Sequence, residues 1–172
     1  AMTFHAACCR ILRRNIDRMG YTSSFTIYDT SDSERLMKEI LRDMNLDDKT
    51  YPPRYVLSII GRQKDRLISP EQMEEDSRSA SDYRIVQIAK AYAVYQKRLK
   101  DNNALDFDDI LYVTVKLLQQ DREVREYYQR KFHYVLVDEY QDTNHVQYLL
   151  TELLAGDRRN ICVVGDDDQS IY

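Results

Sequence analysis

Two adjacent carboxylates, Asp138 and Glu139, close a short apolar run, Tyr134 to Val137. A second apolar run, Ile161 to Val164, closes at Gly165 and Asp166 and is followed by Gln169. Short β-branched apolar runs of this kind predict strands buried on both faces. Between them, Asn144 is placed to cap a helix whose Val146, Leu149, Leu150, Leu153 and Leu154 share one face, and Gly156 is placed to end it. Strand, helix and strand at this spacing form a βαβ unit, so the fold class is α/β, with two parallel strands and a right-handed crossover. Parallel strands bring their carboxyl ends to one edge, which gathers Asp138, Glu139, Asp166 and Gln169 around the crevice where open α/β sheets bind ligands.

Successive side chains on a strand point to opposite faces, so the two acids take different roles unless the backbone turns after Val137. One can hold Mg²⁺ while its neighbour orients and deprotonates a water that attacks phosphorus. Gln169 can then hydrogen-bond the terminal phosphate. The competing reading is an acid pair that solvates a strand end and caps the next turn.

Four stretches carry a resemblance. Asp-Glu-Tyr-Gln-Asp-Thr-Asn (Asp138 to Asn144) and Val-Gly-Asp-Asp-Asp-Gln-Ser-Ile-Tyr (Val164 to Tyr172) resemble the second and third signature motifs of superfamily I DNA helicases of the UvrD/Rep/PcrA type. Thr-Phe-His-Ala (Thr3 to Ala6) is similar to the DNA-contacting motif of their first RecA-like domain. Leu-Asp-Phe-Asp-Asp-Ile-Leu (Leu105 to Leu111) is similar to the segment where an inserted helical subdomain rejoins that domain. Tyr140 places the likeness nearest the PcrA-type branch. The resemblance implies a partial RecA-like, P-loop NTPase domain in residues 1–21 and 104–172, with a helical insertion in 22–103. It implies ATP as substrate with Mg²⁺ as cofactor, Asp138 as the metal ligand, Glu139 activating the water, and Gln169 coupling the γ-phosphate to DNA. It implies contact of Thr3, Phe4 and His5 with single-stranded DNA, a base supported by Tyr172, separation of duplex DNA ahead, and partners in DNA repair or replication.

The elements that must position these groups are mostly helical. The 172 residues contain only 4 Gly and 3 Pro, which favours long helices, and 43% apolar with 31% charged residues is ordinary globular composition. No apolar run approaches the roughly 20 residues a membrane-spanning helix needs, and no signal peptide opens the chain, which fits a cytoplasmic protein. A net charge of −4 argues against a diffusely basic DNA binder, so any contact with DNA comes from local patches. Three cysteines without metal-ligand spacing read as free thiols in a reducing compartment.

In chain order, Thr3 to Met19 predicts a helix with Phe4, Cys8, Ile11, Leu12, Ile16 and Met19 inward and Arg10, Arg13, Arg14 and Arg18 outward. Thr3 is its N-cap, and the first-turn N–H groups can receive a phosphate, with His5 adding a hydrogen bond. Phe4 suits a core position as well as it suits a base. Gly20 ends the helix, and Phe25 to Tyr28 is extended. Ser31 and Glu34 form a capping-box pattern for a helix through about Asn45. Pro52-Pro53 starts the next helix, with Val56, Leu57, Ile60 and Leu67 on its buried side, and Ser69-Pro70 opens a short segment. From Ser81, Ile85, Ile88, Tyr92, Tyr95 and Leu99 form a seam that needs a partner helix. Arg54, Arg62, Lys64 and Arg66 read either as a solvated face or, as the resemblance implies for the inserted subdomain, as a basic patch against duplex DNA. Asp106 reads as the N-cap of a helix Phe107 to Gln119 that packs through Phe107, Ile110, Leu111 and Leu118, with Asp108 and Asp109 as helix-start acids. Tyr127, Tyr128 and Phe132 close one more helix.

The Gly-rich phosphate loop ending in Gly-Lys-Thr, by which the resembling family holds nucleotide, does not occur in the sequence. The expectation is an internal fragment of a longer helicase, inactive in isolation, with Ala1 a cloning remnant. Two alternatives stand beside it: a subunit of a helicase-nuclease, and a nonenzymatic DNA-binding or partner-binding helical module.

Overall fold

The computed structural model describes residues 3–131, 135–137, 145–156 and 161–163. These divide into two compact units, one drawn from the spans Ala1–Ser23 and Asp109–Tyr172, the other from Ser24–Asp108.

Helix α1 (Phe4–Asn15) opens the first unit. Thr3 is extended at its start, and its hydroxyl accepts the Ala6 N–H at 3.1 Å, satisfying one of the donors that a helix N-terminus leaves orphaned. Cys8, Ile11, Leu12 and Ile16 are buried as their spacing demands, while Phe4 and Met19 are half-buried. The expected helix to Met19 is corrected in its last turn, Ile16–Met19, which tightens to 3₁₀ geometry. Asn15 marks the change: its side-chain amide donates to the Ile11 carbonyl at 2.9 Å and to the Tyr128 hydroxyl at 3.0 Å, and its backbone leaves the helical region. Gly20 closes the segment at φ 88°, a left-handed position glycine adopts without steric penalty.

The second unit runs β1 (Thr26–Tyr28), α2 (Thr30–Asp43), α3 (Pro53–Asp65), α4 (Pro70–Ser79), α5 (Tyr83–Asp101) and β2 (Ala104–Asp106). The helices pack a common core of Met37, Ile40, Val56, Ile60, Tyr92 and Leu99, so the seam on α5 meets its partners, α4 and α2. β1 and β2 pair in parallel, Thr26 with Ala104 through Tyr28 with Asp106. Strand β2 was not anticipated, because three residues carry no periodicity to read.

Local chemistry shifts three helix starts and faces. Helix α2 begins at Thr30 because Asp29 and Asp32 form the capping box, each carboxylate accepting the other's N–H at 2.8 and 3.1 Å; the expected Ser31–Glu34 pair does not serve. Helix α5 is capped by Asp82, whose carboxylate accepts the Ile85 N–H, while Ser81 sits at φ 55° in the preceding turn. On α3 the buried positions are Val56, Ile59, Ile60 and Lys64; Leu57 is half-buried, and so is Leu67, which leaves the helix at φ 57°. Pro53 at the start of α3 stands where expected, and the segment that Ser69-Pro70 opens is helix α4, with Ser69 as its cap.

Helix α6 (Phe107–Gln120) buries Ile110, Leu111 and Leu118, but Phe107 is 59% exposed, a correction to its expected packing role. Helix α7 (Arg122–Lys131) buries Tyr128 and leaves Tyr127 at its surface. Then come β3 (Val135–Val137), α8 (His145–Ala155) and β4 (Ile161–Val163). β3 and β4 pair in parallel, the topology expected of a βαβ unit. Helix α8 buries Val146, Leu150 and Leu154, half-buries Leu149 and Leu153, and ends at Gly156, φ 59°. Asn144 and Phe132 lie outside the described residues. Among the described residues no helix is long and apolar enough to cross a membrane.

Candidate functional site

Strands β3 and β4 are the described elements that precede Asp138 and Val164 in sequence. In register, Val135 faces Ile161, Leu136 faces Cys162 and Val137 faces Val163. The next residues in sequence after the last pair are Asp138 and Val164. Asp138, Glu139, Tyr140, Asp166, Gln169 and Tyr172 themselves lie outside the described residues. The donor set is carboxylate and amide oxygen, the hard chemistry that suits Mg²⁺. Among the described residues, no group of three or more His, Cys, Asp or Glu is arranged to hold a metal ion.

Thr3, Phe4 and His5 lie at the N-terminus of α1. The cap fixes how this end presents itself: Ala6 N–H goes to the Thr3 hydroxyl and Ala7 N–H to the Thr3 carbonyl at 3.0 Å. Thr3 is exposed, whereas Phe4 and His5 are half-buried. Burial lowers the His5 pKa, so its imidazole is neutral at neutral pH and acts as a hydrogen-bonding group, not a cation.

The arginine stripe on α1 divides by partner. Arg13 donates to the Ser23 carbonyl at 2.9 Å, and Arg18 bridges Asp121 at 2.9 Å and Glu123 at 2.8 Å. Arg10 and Arg14 remain exposed with no hydrogen bond or ion pair among the described residues. Cys8 is fully buried and its thiol is pushed up to about 12, chiefly by burial, and Cys9 is also raised by burial, so both are protonated thiols and neither is poised as a ligand or nucleophile.

In the second unit, of the four basic residues read as a patch or a solvated face, Arg54, Arg62 and Arg66 are exposed and Lys64 is not. Lys64 is wholly buried: its ammonium donates to Asp106 Oδ2 at 2.9 Å and stands 5.1 Å from the centroid of the Tyr95 ring. The Tyr95 hydroxyl donates to the same oxygen at 2.8 Å. Asp106, read from sequence as a helix cap, is therefore the acceptor of a buried polar cluster that ties β2 to α3 and α5. A signal for this existed, because Lys64 is four residues from Ile60 and eight from Val56, on the same stripe of α3. Asp108 sits beside the cluster with its pKa raised to about 6, first by burial and next by the charge of Asp106, against the opposing pull of Lys64. Gly61 allows that approach, since a Cβ there would lie 2.9 Å from Asp108 Oδ2. Arg54 pairs with Glu34 at 2.7 Å, while Arg62 and Arg66 border a groove of about 610 Å³ between α3 and α4.

Comparison with known proteins follows the same lines. The family model described as UvrD/REP helicase N-terminal domain matches residues 1–172. The chain is 49% identical over 170 residues to the ATP-dependent DNA helicase PcrA of Bacillus subtilis (strain 168), covering 99% of this chain and 23% of that protein. It is 46% identical, with the same coverage, to the proteins of that name from Staphylococcus aureus (strain Mu50 / ATCC 700699) and Staphylococcus epidermidis (strain ATCC 35984). The chain thus spans 23% of the length of these curated relatives.

Proposed function

The chain belongs to the UvrD/REP helicase N-terminal domain family, and we propose that it supplies part of the first motor domain of a longer ATP-dependent DNA helicase. In this reading residues 1–21 and 104–172 are a partial RecA-like ATPase domain and 22–103 an inserted helical subdomain. The observation that supports it most directly is the parallel pairing of Val137 with Val163, the residues that precede the two motif segments.

Asp138 would hold Mg²⁺, which when bound neutralises developing charge on the phosphates. Glu139 accepts a proton from the attacking water, and Gln169 hydrogen-bonds the γ-phosphate of ATP. Tyr172, three residues beyond Gln169, stacks on a base of single-stranded DNA, so loss of the phosphate is felt at the strand. Thr3, Phe4 and His5 hold the DNA backbone at the start of α1, where the helix N-terminus favours an anion and neutral His5 adds a hydrogen bond. The Gly-Lys-Thr loop that holds nucleotide in this family is not in these residues, so ATP hydrolysis belongs to the longer protein. Its setting is the cytoplasm, its substrates single-stranded and duplex DNA with ATP, and its partners proteins of DNA repair or replication.

The test is ATP hydrolysis by the intact parent protein with and without single-stranded DNA, beside strand separation of a tailed duplex. DNA-stimulated turnover with unwinding is expected. Turnover indifferent to DNA would overturn the reading.

A further inference from the structure

A groove of about 610 Å³ runs between α3 and α4 in the second unit. Helix α3 and its C-cap residue line it with Tyr55, Ile59, Arg62 and Arg66, spaced along one side. Met73 from α4 joins Ile59 in an apolar floor, and Ala80 stands exposed at the end of that helix.

The arginines of the rim are unusual within this unit. Of its eight arginines, Arg35, Arg42, Arg54, Arg78 and Arg98 pair with carboxylates, and Arg84 donates to the Thr50 carbonyl. Only Arg62 and Arg66 lack such a partner among the described residues, and both line the groove. The acids nearby are committed elsewhere: Asp76 accepts from Gln72 and Asp82 caps α5. Asp65, half-buried and raised in pKa by that burial, completes the polar lining.

We propose that this groove docks a short peptide segment of another protein that carries an aliphatic side chain for the Ile59–Met73 floor and acidic residues for Arg62 and Arg66. Two guanidiniums one helical turn apart match carboxylates spaced three or four residues along a peptide. A volume of this size seats one or two anchoring side chains. A polyanion fits less well, because Asp65, Asp76 and Asp82 share the lining and the floor is apolar. The proposal is independent of the ATPase reading, since it uses no residue of the strand edge.

The experiment selects phage-displayed 12-residue peptides on the intact protein and measures the selected, fluorescein-labelled peptides by anisotropy. Enrichment of sequences with a Leu, Ile, Met or Phe flanked by Asp or Glu is expected. Their affinity should fall at least tenfold in Arg62→Glu/Arg66→Glu, and likewise in Ala80→Trp, which fills the groove without altering charge. Arg122→Glu/Arg130→Glu, an equal charge change in the other unit, should leave it unchanged. Circular dichroism confirms that each variant is folded. Failure to enrich such peptides, equal binding by the groove variants, or displacement of the peptide by a single-stranded oligonucleotide would each overturn the proposal.

Discussion

The Lys64 ammonium lies 2.9 Å from Asp106 Oδ2, with the lysine side chain wholly removed from solvent and the aspartate 8% exposed. Neither charge tolerates loss of the other, because an uncompensated buried charge costs more than the pair returns. Lys64→Met should lower stability by about 3–5 kcal/mol, read as a fall in the urea midpoint. The double replacement Lys64→Met with Asp106→Leu should recover most of that loss, short of the hydrogen bond from Tyr95. Equal losses in the single and double variants would show that the cluster acts by packing alone.

Asp108 adds a pH dependence whose sign is fixed by its environment. Its pKa is raised from 3.8 to about 6, mainly by burial and next by Asp106. Across that window the folded state binds more protons than the unfolded, so this group's contribution to stability falls as pH rises from about 4 to 6. Asp108→Asn cannot ionise. It should therefore match the parent near pH 4 and exceed it by about 2 kcal/mol at pH 8. Urea titrations of both proteins across that range check it, and a constant difference would assign the effect to packing.

These two residues also show where the sequence was readable and where it was not. Helix α8, the Thr3 cap and the Gly20 and Gly156 stops followed from local patterns, since each depends on residues within a turn or two of one another, and the parallel β3–β4 pairing followed from the strand–helix–strand order. The role of Asp106 did not, because its partners are 42 and 11 residues away and an aspartate before a helix is an equally good cap. The start of α2 is a related case: Asp29 and Ser31 are both capping residue types, and only the geometry of Asp32 decides between them. Of the candidate site, the acid types and order were plain in sequence, as was Thr3 as a cap. The half-burial of His5 was not, since one histidine on a helix carries no periodic signal.

Gly156 ends α8 at φ 59°, and a Cβ added there would meet the Gln129 amide carbon at 2.9 Å. That amide donates to the Leu153 carbonyl at 2.8 Å and ties α7 to α8. Gly156→Ala therefore strains the backbone and displaces a helix-closing bond together. A loss of about 1–2 kcal/mol is expected from the left-handed conformation alone. Thermal unfolding followed by circular dichroism measures it; an unchanged midpoint would mean the turn relaxes freely.

Thr3 separates structure from DNA contact. Thr3→Ser keeps the acceptor for the Ala6 N–H, whereas Thr3→Ala removes it and should cost about 1 kcal/mol. If the capped end also holds a phosphate, Thr3→Ala weakens single-stranded DNA binding by the intact protein about tenfold at low salt, and Thr3→Ser restores it. Loss of stability with unaltered DNA affinity would confine Thr3 to capping.

Glu139 is the sharpest test of the proposed chemistry, because substitution by glutamine keeps the shape and removes only the proton acceptor. On the proposed assignment Asp138 still holds the metal, so nucleotide affinity of the intact parent protein should be retained in Glu139→Gln. Turnover, in contrast, loses general-base assistance, which is typically worth 10²–10⁴-fold. Single-stranded DNA should still bind, giving a protein that holds both ligands and does not advance. Asp138→Asn should behave differently, losing nucleotide affinity that depends on the metal as well as rate, since its carboxylate is assigned to binding. If both variants lost affinity and rate together, the two acids would share one role, and the assignment of metal to one and water to the other would have to be abandoned.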